Sequence, residues 1–199
     1  VVKTQDADTI GAASDTAQSS ADFGSIFVAT PSYGADGQAT SNNLTWSYAL
    51  DLANGVTAGS TSSGFTSNNN TVFLYKVGND IVGSTLSNTR TDNTGDVFQI
   101  SVNATGVVTL TQYQQIDHAN GTSETLLGNN LINLSGTATV KDFDNDTANS
   151  STQSIDLGGN IGFDDANPSV SVAATDNTTV VVKTQDADTI GADSDTAQS

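Results

Sequence analysis

Apolar and polar residues alternate along several short stretches of this chain, with the period that a β-strand imposes. In residues 44–52 one face carries Leu, Trp, Tyr, Leu and Leu, and the other face carries Thr, Ser, Ala and Asp. A period of two indicates a strand with one buried face. We therefore predict a strand over residues 44–52 and expect Trp46, the lone tryptophan, to lie in the core.

Further strands follow in pairs that are separated by turn residues. TVFLYKV and DIVGSTL are joined by a Gly-Asn turn, and DVFQISV and VVTLTQY by a short polar turn. Gly and Asn favour hairpin turns because they accept positive φ angles. A strong strand pattern covers residues 131–140, and a last strand pair is predicted over residues 169–174 and 178–182. About eight to ten strands without a convincing helix predict an all-β fold, an antiparallel β-sandwich that is Ig-like in the broad sense.

The beginning of the chain is repeated at its end. Residues 1–19 return as residues 181–199, with Asp193 in place of Ala13 as the only change. The offset between Val1 and Val181 has the length of an independently folding domain, and it is far longer than a solenoid period. The sequence therefore predicts one unit of a tandem array.

The repeat also predicts where the unit ends. We expect one β-sandwich repeat over residues 1–166, and a joint followed by the opening of the next repeat over residues 167–199. The chain contains no methionine, which is expected of a segment from inside a longer polypeptide. It contains no cysteine either, which rules out a disulfide framework.

The charge is strongly acidic and unusual in kind. Of 22 acidic residues only Glu124 is a glutamate, against five Lys and Arg, and the formal net charge is −17. Asp is typical of turns, where it bonds its own backbone. Such a surface disfavours nucleic acid and anionic membranes as partners and favours divalent cations that offset the repulsion. No apolar stretch is long enough to predict membrane insertion.

The densest acidic segment is KDFDNDT, which places Asp142, Asp144 and Asp146 at alternate positions of a turn. Three carboxylates that converge in a turn suit Ca²⁺, which takes six to eight oxygen ligands. An EF-hand is excluded because Thr147 stands where its glycine would be and Gln153 where its glutamate would be. The alternative is a plain hairpin turn rich in Asx residues.

A second candidate calcium site lies at the joint between units. Asp164 and Asp165 precede a proline there, and Asp6 and Asp8, which recur as Asp186 and Asp188, are their predicted partners. The alternative is a solvated linker. Asp36, Asp15 and Asp22 are interpreted as turn or cap residues instead of ligands.

Catalysis is not predicted. His118 is the only histidine, and the chain has no G-x-S-x-G elbow that would present a serine nucleophile. Paired carboxylates could hydrolyse glycosides, but one Trp and four Tyr leave few rings for sugar subsites. We therefore expect a protein that is not an enzyme.

Several segments, in order along the chain, resemble the long repeat of giant type-I-secreted RTX adhesins of Gram-negative bacteria. They are DADTIG, DTAQSSADFGSIF, SYGADG, VFLYKVGNDIVGST, VFQISVNATGVVTLTQYQQIDH, LSGTATVKDFDNDTA and IDLGGNIGFDDANPSV. The family's acidic turn resembles Asp144-Asn145-Asp146, and its joint resembles Asp164, Asp165 and Pro168. Its opening resembles Asp-Glu-Thr, where this chain has Asp6-Ala7-Asp8-Thr9.

The resemblance implies a calcium-stabilised extender domain on the bacterial cell surface, strung in many copies between an anchored end and a distal binding region. Such an extender serves cell adhesion and biofilm formation. Its expected partners are neighbouring repeats of the same polypeptide and extracellular or cell-surface polysaccharide.

Two alternatives to this stalk function remain open. Residues 53–70 are rich in Gly, Ser, Thr and Asn, which predicts a long exposed loop, and its residues 55–70 could form a carbohydrate-binding module. The repeats could also build an extracellular filament or surface layer, in which residues 178–182 complete the sandwich of a neighbour by β-augmentation.

Overall fold

A computed structural model describes residues 1–5, 17–86, 95–119, 121–165, 168–174 and 180–183. The chain divides into two units, Val1–Asn167 and Pro168–Ser199. Within the described residues of the first unit, strands account for nearly all regular structure, together with one short 3₁₀ turn at Gly24–Ile26. No helix in the described part of the chain is long and apolar enough to span a bilayer. The strands are β1 Val2–Gln5, β2 Ala17–Asp22, β3 Leu44–Leu52, β4 Ser62–Ser67, β5 Asn70–Val77, β6 Asp80–Ser84, β7 Asp96–Val102, β8 Val107–Gln112, β9 Glu124–Leu126, β10 Ile132–Lys141, β11 Thr147–Asn149, β12 Gln153–Asp156 and β13 Ile161–Asp164.

The largest sheet has six antiparallel strands in the order β2-β8-β7-β6-β5-β4. Both predicted hairpins, β5–β6 and β7–β8, are confirmed and form its centre. Gly78 has a φ of 62° between β5 and β6, which is why glycine is favoured at this turn. Local sequence thus sets the register within each of these two hairpins.

A second sheet is built around β10. Along one edge β10 pairs with the whole of β3, from Ile132 opposite Leu52 to Val140 opposite Leu44. Its other edge is shared by β11 and β12. All these pairs are antiparallel, and the predicted strand over residues 44–52 is confirmed with the same bounds.

The third sheet has the order β1-β13-β9 and contains a parallel pair. β1 runs parallel to β13, with Val2 beside Ile161 and Gln5 beside Asp164. β9 pairs with β13 in the antiparallel sense. The fold is all-β and sandwich-like as predicted, with this parallel pair as a departure from a purely antiparallel arrangement.

The core lies between the sheets, and three phenylalanines from different strands pack together in it. The rings of Phe65, Phe98 and Phe163 contact one another with centroids 5.0 to 5.9 Å apart. All three are at most 2% exposed. They come from β4, β7 and β13, so this cluster joins the six-stranded sheet to the three-stranded sheet.

Three sequence predictions about local structure are wrong. Residues 53–70 are not one exposed loop, because they include β4, in which Ser63 and Ser67 are buried beside Phe65. Residues 169–174 form no strand, while 178 and 179 lie outside the described residues. Trp46 is only partly buried and does not belong to the core.

Candidate functional site

The predicted acidic turn lies between β10 and β11, and hydrogen bonds of Asp142, its first aspartate, hold its two ends together. The Asp146 amide donates to the Asp142 carboxylate at 2.9 Å, and the Asp142 amide donates to the Asp146 carbonyl at 3.1 Å. Asn145 has a φ of 76°, a conformation that Asn tolerates better than most residues. The turn is therefore held by the backbone and leaves the Asp144 side chain exposed.

A distant segment is bound to this turn through main-chain hydrogen bonds. Gln38 forms an isolated antiparallel bridge with Asp142. The Phe143 amide donates to the Gly37 carbonyl at 3.0 Å, and the Ala39 amide donates to the Lys141 carbonyl at 3.1 Å. These contacts bring the preceding residue, Asp36, to the acidic turn.

The result is a cluster of three carboxylates, which we call the acidic cluster. Carboxylate oxygens of Asp36, Asp142 and Asp144 all lie within 4.8 Å of one another. Among the described residues this is the one group of three acidic or metal-binding side chains at such distances. Asp146, which the sequence suggested as the third ligand, is outside the group, and Asp36, interpreted as a turn residue, takes its place.

The electrostatics of the cluster favour an added positive charge. The hydrogen bond that protonated Asp142 donates to the Asp144 carboxylate is the main cause, and partial desolvation the next, of a pKa of Asp142 above its ordinary value of 3.8. The nearby charges of Asp144 and Asp146 act in the same direction, and only the Asp146 backbone amide opposes them. Within the described residues no lysine or arginine forms an ion pair with Asp36, Asp142 or Asp144.

The donors of the acidic cluster fit a hard cation. All three side chains offer oxygen, and Asp36 and Asp144 are exposed, so water can complete a coordination shell. Neither histidine nor cysteine contributes, which disfavours zinc and copper. These residues could therefore hold Ca²⁺, with several of its six to eight ligands supplied by solvent.

The second predicted calcium site shows a different arrangement. Asp164 lies in β13, and its carboxylate accepts from the Lys3 ammonium at 3.5 Å. Lys3 also forms an ion pair with Glu124, and the hydrogen bond to Glu124 is the main reason why the pKa of Lys3 is raised. The Asp165 amide donates to the Ser123 carbonyl at 2.9 Å. The Lys3 ammonium is therefore already a positive charge next to the Asp164 carboxylate.

The remaining ligands proposed for the joint cannot be placed. Asp6, Asp8, Asp186 and Asp188 lie outside the described residues. Their role as partners of Asp164 and Asp165 stays a prediction.

An open groove of about 560 Å³ lies on the face of the β3–β10 sheet. Trp46 and Phe27 line it with their rings 6.2 Å apart, and Trp46 stacks on Tyr48 at 6.0 Å with an angle of 11°. Asn149 and the serines of residues 148–155, from the other side of the same sheet's β10 strand, also line it. The groove has the size and mixed lining of a small-ligand site, and it lies apart from the predicted binding loop at residues 55–70.

His118 has a structural environment. Its Nδ1 lies 2.9 Å from the Ile116 carbonyl oxygen, and its Nε2 lies 3.0 Å from the Phe163 carbonyl oxygen. The ring thus bridges the segment before β9 to β13.

Comparison with known protein families gives one match. Residues 3–158 match the domain of unknown function DUF5801. The chain belongs to the DUF5801 family. Searches of curated proteins and of solved structures give no significant match. The matched residues of this DUF5801 unit include every strand from β3 to β12, together with the acidic cluster.

Asp36 is the residue of this DUF5801 unit that sequence reasoning missed. Gly34 and Gly37 on either side of it have φ angles of 74° and 80°, so the segment reads as an isolated turn. The signal in the sequence was the GADG turn itself, which is followed directly by the isolated bridge between Gln38 and Asp142. A single bridge leaves no periodic pattern in the sequence.

Proposed function

We propose that this DUF5801 unit is a calcium-stabilised structural repeat of a large extracellular bacterial adhesin, and that it acts as a stalk. The observation that supports the proposal is the position of the repeated segment. Residues 2–5 form a strand in which Val2 is fully buried and Thr4 is 5% exposed. The same sequence follows the unit at residues 182–185, where Val182 is 75% exposed.

A repeated first strand is what a tandem array requires. Each unit needs its own copy of β1, because Val2 pairs with Ile161 and packs in the core. The copy at residues 181–199 would serve as β1 of a following unit in the same polypeptide. A spacer can be copied in this way, whereas a specific catalytic centre is needed only once.

Calcium enters the proposal through the acidic cluster. Repulsion among carboxylates opposes compact folding in a chain whose net charge is −17, and bound Ca²⁺ would offset two of the three negative charges of Asp36, Asp142 and Asp144. A ligand that binds only the folded state adds about 2.7 kcal/mol at one hundred times its dissociation constant. The cation would also tie residues 36–38 to the turn after β10.

The first experiment is thermal unfolding of the chain with millimolar calcium and with chelator, magnesium being present in both. We expect a rise in Tm of about 8 °C with calcium alone, the scale set by 2–4 °C per kcal/mol for a chain of this size. Equal unfolding in both buffers would contradict the role of calcium.

A second experiment tests the stalk. A protein in which residues 1–180 occur twice, followed by residues 181–199, is compared with the single chain by small-angle X-ray scattering. We expect the maximum dimension to grow by the length of one unit, with the Tm unchanged. A compact pair of the same maximum dimension would contradict a stalk.

The groove supports a second candidate function, a carbohydrate-binding module. Sugar rings stack on aromatic side chains, and Trp46 lines an open cavity whose lining also includes Asn149 and several serines. This candidate requires a site at β3 and residues 148–155 in place of residues 55–70. Its test is binding of soluble oligosaccharides to the groove, with Trp46 as the reporter.

A further inference from the structure

The sequence of β1 is present twice in this chain, once buried and once exposed. Val2 is 0% exposed in the first unit, whereas Val181 and Val182 are 59% and 75% exposed. Val1, the counterpart of Val181, is 65% exposed, so the β1 place buries only the second valine of the pair, which would gain about 25 cal/mol per Å² of apolar surface buried. The buried copy shows which surface such a segment fits.

The place of β1 is at the edge of its sheet. In the described residues β1 has β13 as its only strand neighbour, through the parallel pairs from Val2–Ile161 to Gln5–Asp164. The Val2 amide also donates to the Asn160 carbonyl at 2.7 Å. An edge strand can leave without breaking the pairs among the other strands, and the surface it leaves is one row of backbone groups beside an apolar pocket.

A strand donated by another copy could also make the polar contacts of β1. Lys3 forms ion pairs with Glu124 of β9 and Asp164 of β13. Lys183 holds the equivalent position in the repeated segment. A strand of residues 182–185 in this place would therefore supply the same buried valine, the same threonine and the same lysine.

We propose that the β1 place is an exchangeable interface between copies of this chain, in which residues 182–185 of one copy replace residues 2–5, the strand β1, of another. The inference rests on the proposed function as a repeat unit and names its partner, a second copy. The contact is heterologous, head to tail, so it extends into chains of copies unless it closes into a ring. The incoming and outgoing strands make the same contacts, but a chain's own β1 is tethered to its unit and competes at a high effective concentration. Wild type therefore mainly keeps its own β1, and a weakened β1 is displaced by the segment of another copy.

Weakening either copy of the strand tests the proposal with the full-length chain. Val2→Asp places a charge at a fully buried position and disables the chain's own β1. Val182→Asp disables the donor, and the double variant disables both. We measure mass by light scattering after size exclusion at two protein concentrations, and Tm for each variant.

The expected results separate the four proteins. Wild type and Val182→Asp stay mainly monomeric with equal Tm. Val2→Asp forms dimers and longer species that increase with concentration, and it unfolds at least about 5 °C above the double variant. A monomeric Val2→Asp with the Tm of the double variant overturns the proposal. A monomeric Val2→Asp that still depends on Val182 also overturns it, because the strand would then return within one chain.

A cross-link provides a test that does not depend on a destabilised variant. Gln5 lies beside Asp164 in the parallel register, so Gln185 of a donor would lie beside the same residue. The chain has no cysteine, and Asp164→Cys with Gln185→Cys adds one pair. Oxidation should give covalent dimers and oligomers on non-reducing gels, and adding Val182→Asp should remove them. Monomers alone would overturn the proposal.

These outcomes are distinct from those that test the stalk function. Loss of exchange between copies would leave the calcium dependence of Tm and the length of a two-unit protein unchanged. Loss of the calcium effect would likewise leave the mass of Val2→Asp unchanged.

Discussion

The carboxylates of Asp36 and Asp142 lie within 4.8 Å of each other, although the two residues are far apart in sequence. The antiparallel bridge between Gln38 and Asp142 produces this proximity. The acidic cluster is therefore a tertiary feature that depends on folding, and a cation bound there would stabilise the native state selectively.

The first prediction concerns which aspartates carry the calcium effect. Asp36→Asn should remove most of the rise in Tm on calcium addition, because the residue is part of the cluster. Asp146→Asn should remove much less, because its carboxylate lies outside that group. The measurement is thermal unfolding with calcium and with chelator.

The exposed Asp51, which pairs with Lys76 away from the cluster, provides a matched control. Asp51→Asn should leave the calcium shift unchanged, since a surface ion pair contributes about 0–1 kcal/mol with or without calcium. A larger loss of the calcium shift in Asp146→Asn than in Asp36→Asn would show that the sequence-based ligand set is the better one.

The second prediction is a pH dependence in the absence of divalent cations. The pKa of Asp142 is raised above 3.8 in the folded state, mainly by its hydrogen bond with Asp144. The stabilising contribution of this proton is complete below the unfolded pKa and is lost as the pH rises through the folded pKa, where both carboxylates become charged. Asp144→Asn should lower the pKa of Asp142 toward its ordinary value.

Carboxyl-carbon NMR titration of Asp142 measures this pKa directly. In chelator at pH 7, Asp144→Asn should also unfold at a higher temperature than wild type, and the difference should shrink at pH 3. An unchanged Asp142 titration in the variant would contradict the coupling.

The third prediction concerns the core. Phe163→Ala should destabilise the unit by about 3–5 kcal/mol, because the ring is fully buried against Phe65 and Phe98. Phe143→Ala, at the exposed tip of the acidic turn, should change stability by less than about 0.5 kcal/mol. Urea unfolding measures both, and a similar loss in the two variants would contradict this assignment of the core.

The fourth prediction uses the single tryptophan as a reporter of the groove. Because Trp46 lines an open cavity, acrylamide should quench its fluorescence in the folded protein more than it quenches a buried indole. If the groove binds sugars, cellohexaose or a chitin hexamer should reduce that quenching, and Asn149→Ala should weaken the effect. Unchanged quenching at millimolar oligosaccharide would remove the carbohydrate-binding candidate for these two sugars.

The sequence predicted which strands pair only where the pairing is local. β5–β6 and β7–β8 are joined by short turns, and the turn residues determine which residues of the two strands pair. β3 was predicted with its bounds because five large residues mark one face. Its partner β10 is distant in sequence, and alternation alone does not reveal which two strands pair.

Sequence-based prediction failed where small polar side chains occupy buried strand positions, and where alternation occurs in a stretch that forms no strand. In β4 the buried positions beside Phe65 are serines, and the Ser63 hydroxyl donates to the Val72 carbonyl at 2.7 Å, so the alternation is hidden. Val170 and Val172 alternate with serines in a stretch that forms no strand. Alternation with a period of two is therefore not sufficient to predict a strand, because a strand also needs a second strand with which to pair.

If the unit is part of the proposed array, the parallel pairing of β1 and β13 determines how a stretched unit would bear load. Tension along the polypeptide pulls β1 toward its amino end and β13 toward its carboxyl end, because these strands begin and end the sandwich. In a parallel pair those two directions are opposite and lie along the strands. The four residue pairs are then sheared together and do not open one after another. Each unit would resist extension at the contact between its first and last strands, where Lys3 reaches the acids of β9 and β13.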